Sequence, residues 1–344
     1  MPASKRQLTG LTLAELTGLL DSRARALAAL RWLHESEPVP TSLPERIPGV
    51  APEAWAKVRE ACELSLPRIA VRQAASDGTV KYAFEAAADA ARFESVLIPA
   101  DGRSTLCVSS QAGCSRRCAF CATARLGLTR NLTAGEIVAQ FLLAKSDAPQ
   151  GSPLRNVVFM GMGEPFDNLD EVLRAVEILT QPPAPSLGAS HVTVSTSGVL
   201  PGMERFLREC QAHLALSLNA TTDAQRAELM PQTRQWPIAE LMGLLRRSCE
   251  GSDRLFFVEY VILDGFNDAD DDARRLVELL QGIRARVNLI PHNAFEGCGY
   301  GPAKRERILA FQKIVHEGGV RCLLRSSRGE DIDAACGQLA GRRS

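Results

Sequence analysis

From Ser104 onward the chain alternates between two rhythms. Short apolar runs rich in Val, Ile and Leu fall at Ser104–Ser109, Asn156–Met160, His191–Thr196, His213–Leu218, Leu255–Ile262 and Arg286–Ile290, and longer stretches with helical apolar spacing separate them. Such runs predict a parallel sheet covered by helices, and six strand–helix units suit an incomplete (β/α)6 barrel with its site at the strand C-terminal ends. Thr133-Ala-Gly-Glu136 has the spacing of a capping box opening a helix to about Lys145, and Asn168 with Glu171 offers a similar start.

Upstream the rhythm changes. Thr12-Leu-Ala-Glu15 is another capping box, Ser22–Glu35 and Glu53–Leu66 have helical spacing, and the Pro38–Pro52 stretch is a Pro-rich connection. Thr79–Phe84, after the turn residues Asp77-Gly78, and Glu94–Pro99 look like two pairing strands. The expected organisation is a helical accessory domain at 1–75, a β-hairpin and linker at 76–99, an α/β core at 100–331 and a C-terminal segment at 332–344.

Composition adds mainly exclusions. With 344 residues, 45% of them hydrophobic, the chain can bury a large core. Lys+Arg and Asp+Glu both number 40, so overall charge favours neither nucleic acid nor membrane, and any RNA site must come from local basic clusters. The opening Met-Pro-Ala-Ser-Lys-Arg-Gln has no apolar region, and no run of about 18 apolar residues appears. A cytoplasmic protein without a membrane partner is expected. Ten cysteines in such a chain read as reduced, metal-binding or catalytic thiols.

Three of them, Cys114, Cys118 and Cys121, form C-x3-C-x2-C in the loop after the first core strand. No fourth Cys or His nearby closes a zinc tetrahedron, although a zinc knuckle borrowing a distant ligand is the alternative. Three thiolates leave one iron of a [4Fe–4S] cluster open for chemistry. With Phe120 before the last cysteine, the triplet resembles the radical S-adenosylmethionine (SAM) motif C-x3-C-x-aromatic-C, which implies a [4Fe–4S] cluster that binds and cleaves SAM. Cys107 lies seven residues earlier on the strand, where a buried thiol is also a common outcome. Cys336 stands in a Gly-flanked loop that allows close approach to a ligand.

Longer motifs narrow the resemblance: Cys107-Val-Ser-Ser-Gln-Ala-Gly-Cys114, Arg130-Asn-Leu-Thr133, Gly161-Met-Gly-Glu-Pro165, Ser195-Thr-Ser-Gly198, Asn288-Leu-Ile-Pro291 and Arg328–Leu339. In this order they resemble the RlmN family and the related Cfr enzymes along nearly the whole chain. The resemblance implies a radical SAM methyltransferase acting on C2 of an adenosine in 23S ribosomal RNA, at the peptidyl transferase centre, and on a tRNA adenosine. It implies Cys336 as methyl acceptor, Cys107 as the cysteine that resolves the protein–RNA adduct through a disulfide, and Glu94 as proton acceptor. Gly163, Glu164, Ser195, Ser217, Leu218, Asn219 and Asn293 would contact SAM. An external one-electron donor and a monomeric protein are expected. Arg116, Arg117, Arg125 and Arg130, with Arg321, Arg325 and Arg328, would position phosphates. Ala122–Leu128, Asn219, His292-Asn-Ala and Ser327 depart from the usual family wording. Competing readings are a Cfr-like C8 methyltransferase, a diverged paralogue acting on another RNA, and a metal-stabilised RNA-binding factor.

Overall fold

The computed structural model describes residues 5–339 except 184 and 186, so the last five residues of the 332–344 segment lie outside the described residues. At the N-terminus β1 (Arg6–Gln7) pairs with β2 (Cys62–Glu63), and α1 (Leu13–Leu20), α2 (Arg23–Glu35) and α3 (Pro52–Ala61) lie between them. The Thr12 capping box forms as expected. Glu15 N donates to Thr12 Oγ1 at 3.3 Å, and Thr12 N donates to Glu15 Oε2 at 2.9 Å. Leu16, Leu20, Leu30, Leu33 and Trp55 bury the apolar faces of these helices in the same continuous core as the rest of the chain.

Strands β3 (Arg68–Ala74), β4 (Val80–Glu85), β5 (Arg92–Ala100) and β6 (Arg103–Cys107) run antiparallel in sequence. β4 alternates cleanly, with Tyr82 and Phe84 inward and Phe84 stacked on Phe93 of β5 at 5.4 Å. β3 corrects the reading of 1–75 as helical throughout. It is an edge strand with no fully buried residue, so it lacks the alternation that marks a strand in sequence.

Beyond β6 come β7 (Gln111–Gly113), β8 (Leu128–Asn131), α4 (Ala134–Ala144), β9 (Leu154–Phe159), α5 (Leu169–Thr180), β10 (Val192–Thr196), α6 (Leu200–Glu209) and β11 (His213–Ser217). They are followed by α7 (Asp223–Leu229), α8 (Ile238–Cys249), β12 (Phe256–Ile262), α9 (Asp270–Leu279), β13 (Ala285–Pro291), α10 (Arg305–Glu317) and β14 (Arg321–Leu324). One ten-stranded sheet runs β14-β13-β12-β11-β10-β9-β6-β5-β4-β3. From β6 to β14 all neighbours are parallel, and β6 and β14 do not meet, so the barrel stays open. The six expected strands are present. The seventh, β14, is four residues long and carries too little pattern to be read from sequence. Among the described residues no helix is long and apolar enough to cross a membrane.

Thr133 caps α4 with the expected box. Asn168 does not cap α5. Its Nδ2 donates to Ser110 O and Leu132 O at 2.9 and 2.8 Å, while Glu171 accepts from Ala134 N at 2.6 Å. Both side chains tie α5 to the segment leading into α4.

Candidate active site

The loop carrying Cys114, Cys118 and Cys121 is pinched at its base by the antiparallel pairing of β7 with β8. Cys114 N donates to Gly127 O at 2.9 Å. A Cβ at Gly113 would stand 1.9 Å from Gly127 O, and its φ is +83°, so the closure requires glycine. Cys121 N bonds Cys118 O at 3.2 Å, and Ala119 N bonds Leu229 O at 2.9 Å, anchoring the loop to the end of α7.

All three thiols line one cleft at the C-terminal ends of the parallel strands. Burial raises each of them, that of Cys114 to about 12, and for Cys114 and Cys118 the charge of the other cysteines adds to the effect. Thiols so shifted become ligands only when a cation offsets the charge. Among the described residues no three His, Cys, Asp or Glu side chains are grouped for a single metal ion. Cys114, Cys118 and Cys121 offer three soft sulfur donors to one cleft, the donor chemistry that iron–sulfur clusters take.

The turn after β9 forms another part of the cleft lining. A Cβ on Gly161 would lie 2.8 Å from Val108 O, and one on Gly163, at φ +104°, would lie 2.6 Å from Gln111 Cβ. The glycines bring this turn against the chain after β6 and present Glu164 to the cleft. Glu164 is buried and accepts hydrogen bonds from Phe166 N (3.0 Å), Thr196 Oγ1 (2.8 Å) and Ser197 N (2.8 Å). Burial raises its carboxyl, and these donors oppose the rise.

At the next strand ends Ser195 Oγ and Ser217 Oγ are 3.3 Å apart and both line the cleft. Strand alternation turns Leu218 away, so its side chain packs in the hydrophobic core and not in the cleft. Asn219 lines the cleft in the left-handed conformation, φ +60°. Its Oδ1 accepts from Val261 N at 2.9 Å, which uses the side chain to join β11 to β12. Asn293 accepts from Ser327 Oγ at 2.7 Å and donates to Cys336 O at 3.3 Å.

Cys336 is exposed into the cleft, although protein packed around it raises its thiol. Its segment docks on the cysteine loop: Ala122 N donates to Gly337 O at 2.7 Å and Thr123 Oγ1 to Leu339 O at 2.6 Å. Cys107 ends β6, buried, and its thiol is raised by burial and then by the charge of Cys336. Residues 229 positions apart in sequence thus come within electrostatic reach of one another. Glu94 is buried on β5; Val96, two residues on, pairs with Cys107, so Glu94 shares the face of that cysteine. All ten cysteines are free thiols, and Cys62, Cys210 and Cys322 are core residues.

Three of the arginines expected to position phosphates have partners within the chain. Arg116 pairs with Asp167 and lies over the Trp236 ring; Arg125 bonds Glu296 O and Gly297 O; Arg130 grips both Asp89 and Glu136. These partners are remote or acidic neighbours that local charge counting does not reveal. Two features were not picked out from sequence. Glu259, which lines the cleft, was a visible signal as a carboxylate inside the apolar run Phe256–Ile262, whereas Arg226, fully buried against the ends of β10 and β11, looked like any helix-surface arginine.

The Radical SAM superfamily model matches residues 108–277. A crystal structure of a radical SAM methyltransferase from Sphaerobacter thermophilus is similar at TM-score 0.90 and 40% identity, covering 98% of this chain and 100% of that one. Fold and site therefore define a radical SAM methyltransferase. A dual-specificity RNA methyltransferase RlmN from Geobacter sulfurreducens is 42% identical over 97% of this chain and 92% of its own length. An RlmN from Myxococcus xanthus is also 42% identical, over 99% and 92%, and a probable RNA methyltransferase from Sorangium cellulosum is 45% identical over 92% and 75%. The chain belongs to the RlmN family of radical SAM RNA methyltransferases.

Proposed function

We propose that this enzyme methylates C2 of an adenosine in 23S ribosomal RNA and in tRNA, with Cys336 as the intermediate methyl carrier. The observation that carries the reading is that Cys336 lines one strand-end cleft with Cys114, Cys118 and Cys121, while Cys107 lies buried within electrostatic reach of Cys336. C2 of adenine is electrophilic and has no lone pair, so transfer of a methyl cation to it is unfavourable and a carbon radical is needed. A [4Fe–4S] cluster held by Cys114, Cys118 and Cys121 would supply the electron, received from an external donor, that generates a radical from SAM.

The chain's own residues account for the rest. Glu164, flanked by Gly163, offers a carboxylate to the SAM ammonium group. Ser195, Ser217, Asn219 and Asn293, with the backbone of Leu218, line or border the space for the remainder of SAM. Cys336 holds the methyl carbon where both the radical source and an unstacked adenine have access. Glu94 takes the proton lost from C2. Cys107 then loses its thiol proton and attacks the Cys336 sulfur; the S–S bond forms as the S–CH2 bond breaks, its electron pair stays on the RNA-bound carbon, and that carbon takes a proton to become the methyl group. The protein acts as a cytoplasmic monomer.

Reconstituted protein should convert unmodified 23S ribosomal RNA and tRNA to 2-methyladenosine, as read by mass spectrometry of digested RNA. 8-Methyladenosine as the product would replace this reading with a C8 activity. A Cys107→Ala protein should trap RNA covalently on Cys336, and Cys336→Ala should form no adduct. A Cys107→Ala gel without a shifted band would sink the two-cysteine scheme.

A further inference from the structure

Among the described residues, the carboxylates lining the cleft are Glu164 and Glu259, and they are held differently. Glu164 accepts three hydrogen bonds, two at Oε1 and one at Oε2. Glu259 sits on β12, in register with Ser217 of β11 and Asn288 of β13. It is only 5% exposed and accepts one hydrogen bond, from Asn288 Nδ2 to Oε1 at 2.7 Å. Cys336 lines the same cleft, and Asn293, just beyond β13, holds its carbonyl. Glu259 and Cys336 lie close enough for the carboxylate charge to act on the thiol.

We propose that Glu259 accepts the proton of the Cys336 thiol as that sulfur takes its methyl group. The inference rests on Cys336 being the methyl-bearing cysteine. The S–H bond breaks and its proton passes to the free carboxylate oxygen. The sulfur electron pair forms the new S–CH3 bond. The methyl–sulfonium bond of SAM breaks, and its pair stays on the sulfur of S-adenosylhomocysteine. Carboxylate and sulfonium charges disappear together, and nothing is oxidised or reduced.

The electrostatics agree with this role. Cys336 lies above an ordinary thiol through burial and then the Glu259 charge, so little thiolate forms unaided near neutrality. Burial lifts Glu259 to about 7, against the Asn288 hydrogen bond and the Arg325 charge, which places the base near working pH. Arg325, following β14, acts on both groups, and Cys121 of the cluster loop and Cys107 of β6 also couple to Cys336. Cys114, Arg116, Cys118, Glu164 and His292 complete the titratable and charged lining.

The test uses the iron-loaded full chain with SAM and no reductant, following S-methylation of Cys336 by peptide mass against pH. In the native protein the rate should rise through the Glu259 ionisation. Glu259→Gln should slow methylation roughly 100-fold at neutral pH, in keeping with loss of a general base, and recover as pH approaches the ionisation of the thiol itself. Asn288→Ala removes a donor to the carboxylate, so its limb should move to higher pH. Iron content and SAM binding serve as folding controls. Wild-type rates in Glu259→Gln, slowing by one factor at every pH, or an unmoved limb in Asn288→Ala would each overturn the proposal. If the native protein takes no methyl on Cys336, the methyl-carrier reading falls and this inference falls with it. Methylation of native Cys336 at a rate independent of Glu259 removes the inference alone.

Discussion

The two walls of the cleft are built on different plans. On one side the Gly161–Glu164 turn and the ends of β10 and β11 are locked by short hydrogen bonds between neighbouring strand ends, and buried Arg226 clamps β10 and β11 together. Its guanidinium donates to Leu218 O (3.0 Å), Ser217 O (3.1 Å), Ser197 O (2.5 Å) and Thr233 Oγ1 (2.8 Å). On the other side, Gly329–Leu339 contains one 3-10 turn, Glu330–Ile332, and is held by scattered long-range bonds. Ser76 N donates to Asp331 Oδ2 at 2.9 Å, Gly329 N to Asp77 Oδ2 at 3.1 Å, and Asn293 and Ala122 hold the chain around Cys336. A wall that seats a reactive cofactor gains from rigidity, whereas a residue that collects carbon from one partner and delivers it to another needs reach.

The most damaging change to the rigid wall should be Arg226→Met. It leaves three buried carbonyls and a hydroxyl without their donor, for about 3 kcal/mol or more of lost stability. Burial also lowers the Arg226 guanidinium to about 10, the mark of a cation held without a hydrogen-bonded carboxylate. A melting curve should show the loss in protein without cluster as well as with it. A melting point within a degree of wild type would mean that the clamp contributes little and that the contrast between the walls is overdrawn.

The opposite wall is probed by Gly337→Ala. Gly337 has φ +84°, and an added Cβ would lie 3.2 Å from Phe120 O, so alanine strains the segment beside Cys336. A cost of about 1–2 kcal/mol, confined to this segment, should reduce product formation by roughly 5- to 30-fold. Global melting and iron content should stay unchanged. A fall in iron content equal to the fall in activity would show that the two walls form one rigid body.

Much of this architecture was legible because it rests on local pattern. Six buried strands announce themselves as apolar runs, the Thr12 and Thr133 boxes as four-residue motifs, and the cluster loop as C-x3-C-x2-C. What escaped depends on long-range partners. β3 and β14 are strands because of the edges they join. Asn168 abandons its expected cap for carbonyls at Ser110 and Leu132. Arg130 is tied to Asp89, 41 residues upstream, a partner that no local pattern announces. Glu259 was visible as a lone carboxylate in an apolar strand, but its nearness to Cys336 follows only from the return of the C-terminal segment to the cleft.

The smallest expected effect comes from Thr133→Ala, at the start of α4, which packs against α5 and holds the chain before the cluster loop. Thr133 Oγ1 accepts from Glu136 N at 3.2 Å, and losing such a cap costs about 1 kcal/mol. Glu136 should nonetheless keep its seat, because Thr133 N and the Arg130 guanidinium still donate to its carboxylate. One turn further along, Gln140 bonds both the N–H and the carbonyl of Ser109, at 2.8 and 2.9 Å, and thereby fixes the chain between Cys107 and the cluster loop. If α4 merely frays at its first turn, that Gln140 contact survives, and the variant should lose a few degrees of melting temperature with unchanged product formation at 25 °C. A loss above about 2 kcal/mol, with activity falling in step, would extend the rigid wall back to the helix start and make the capping box part of what holds the cluster loop.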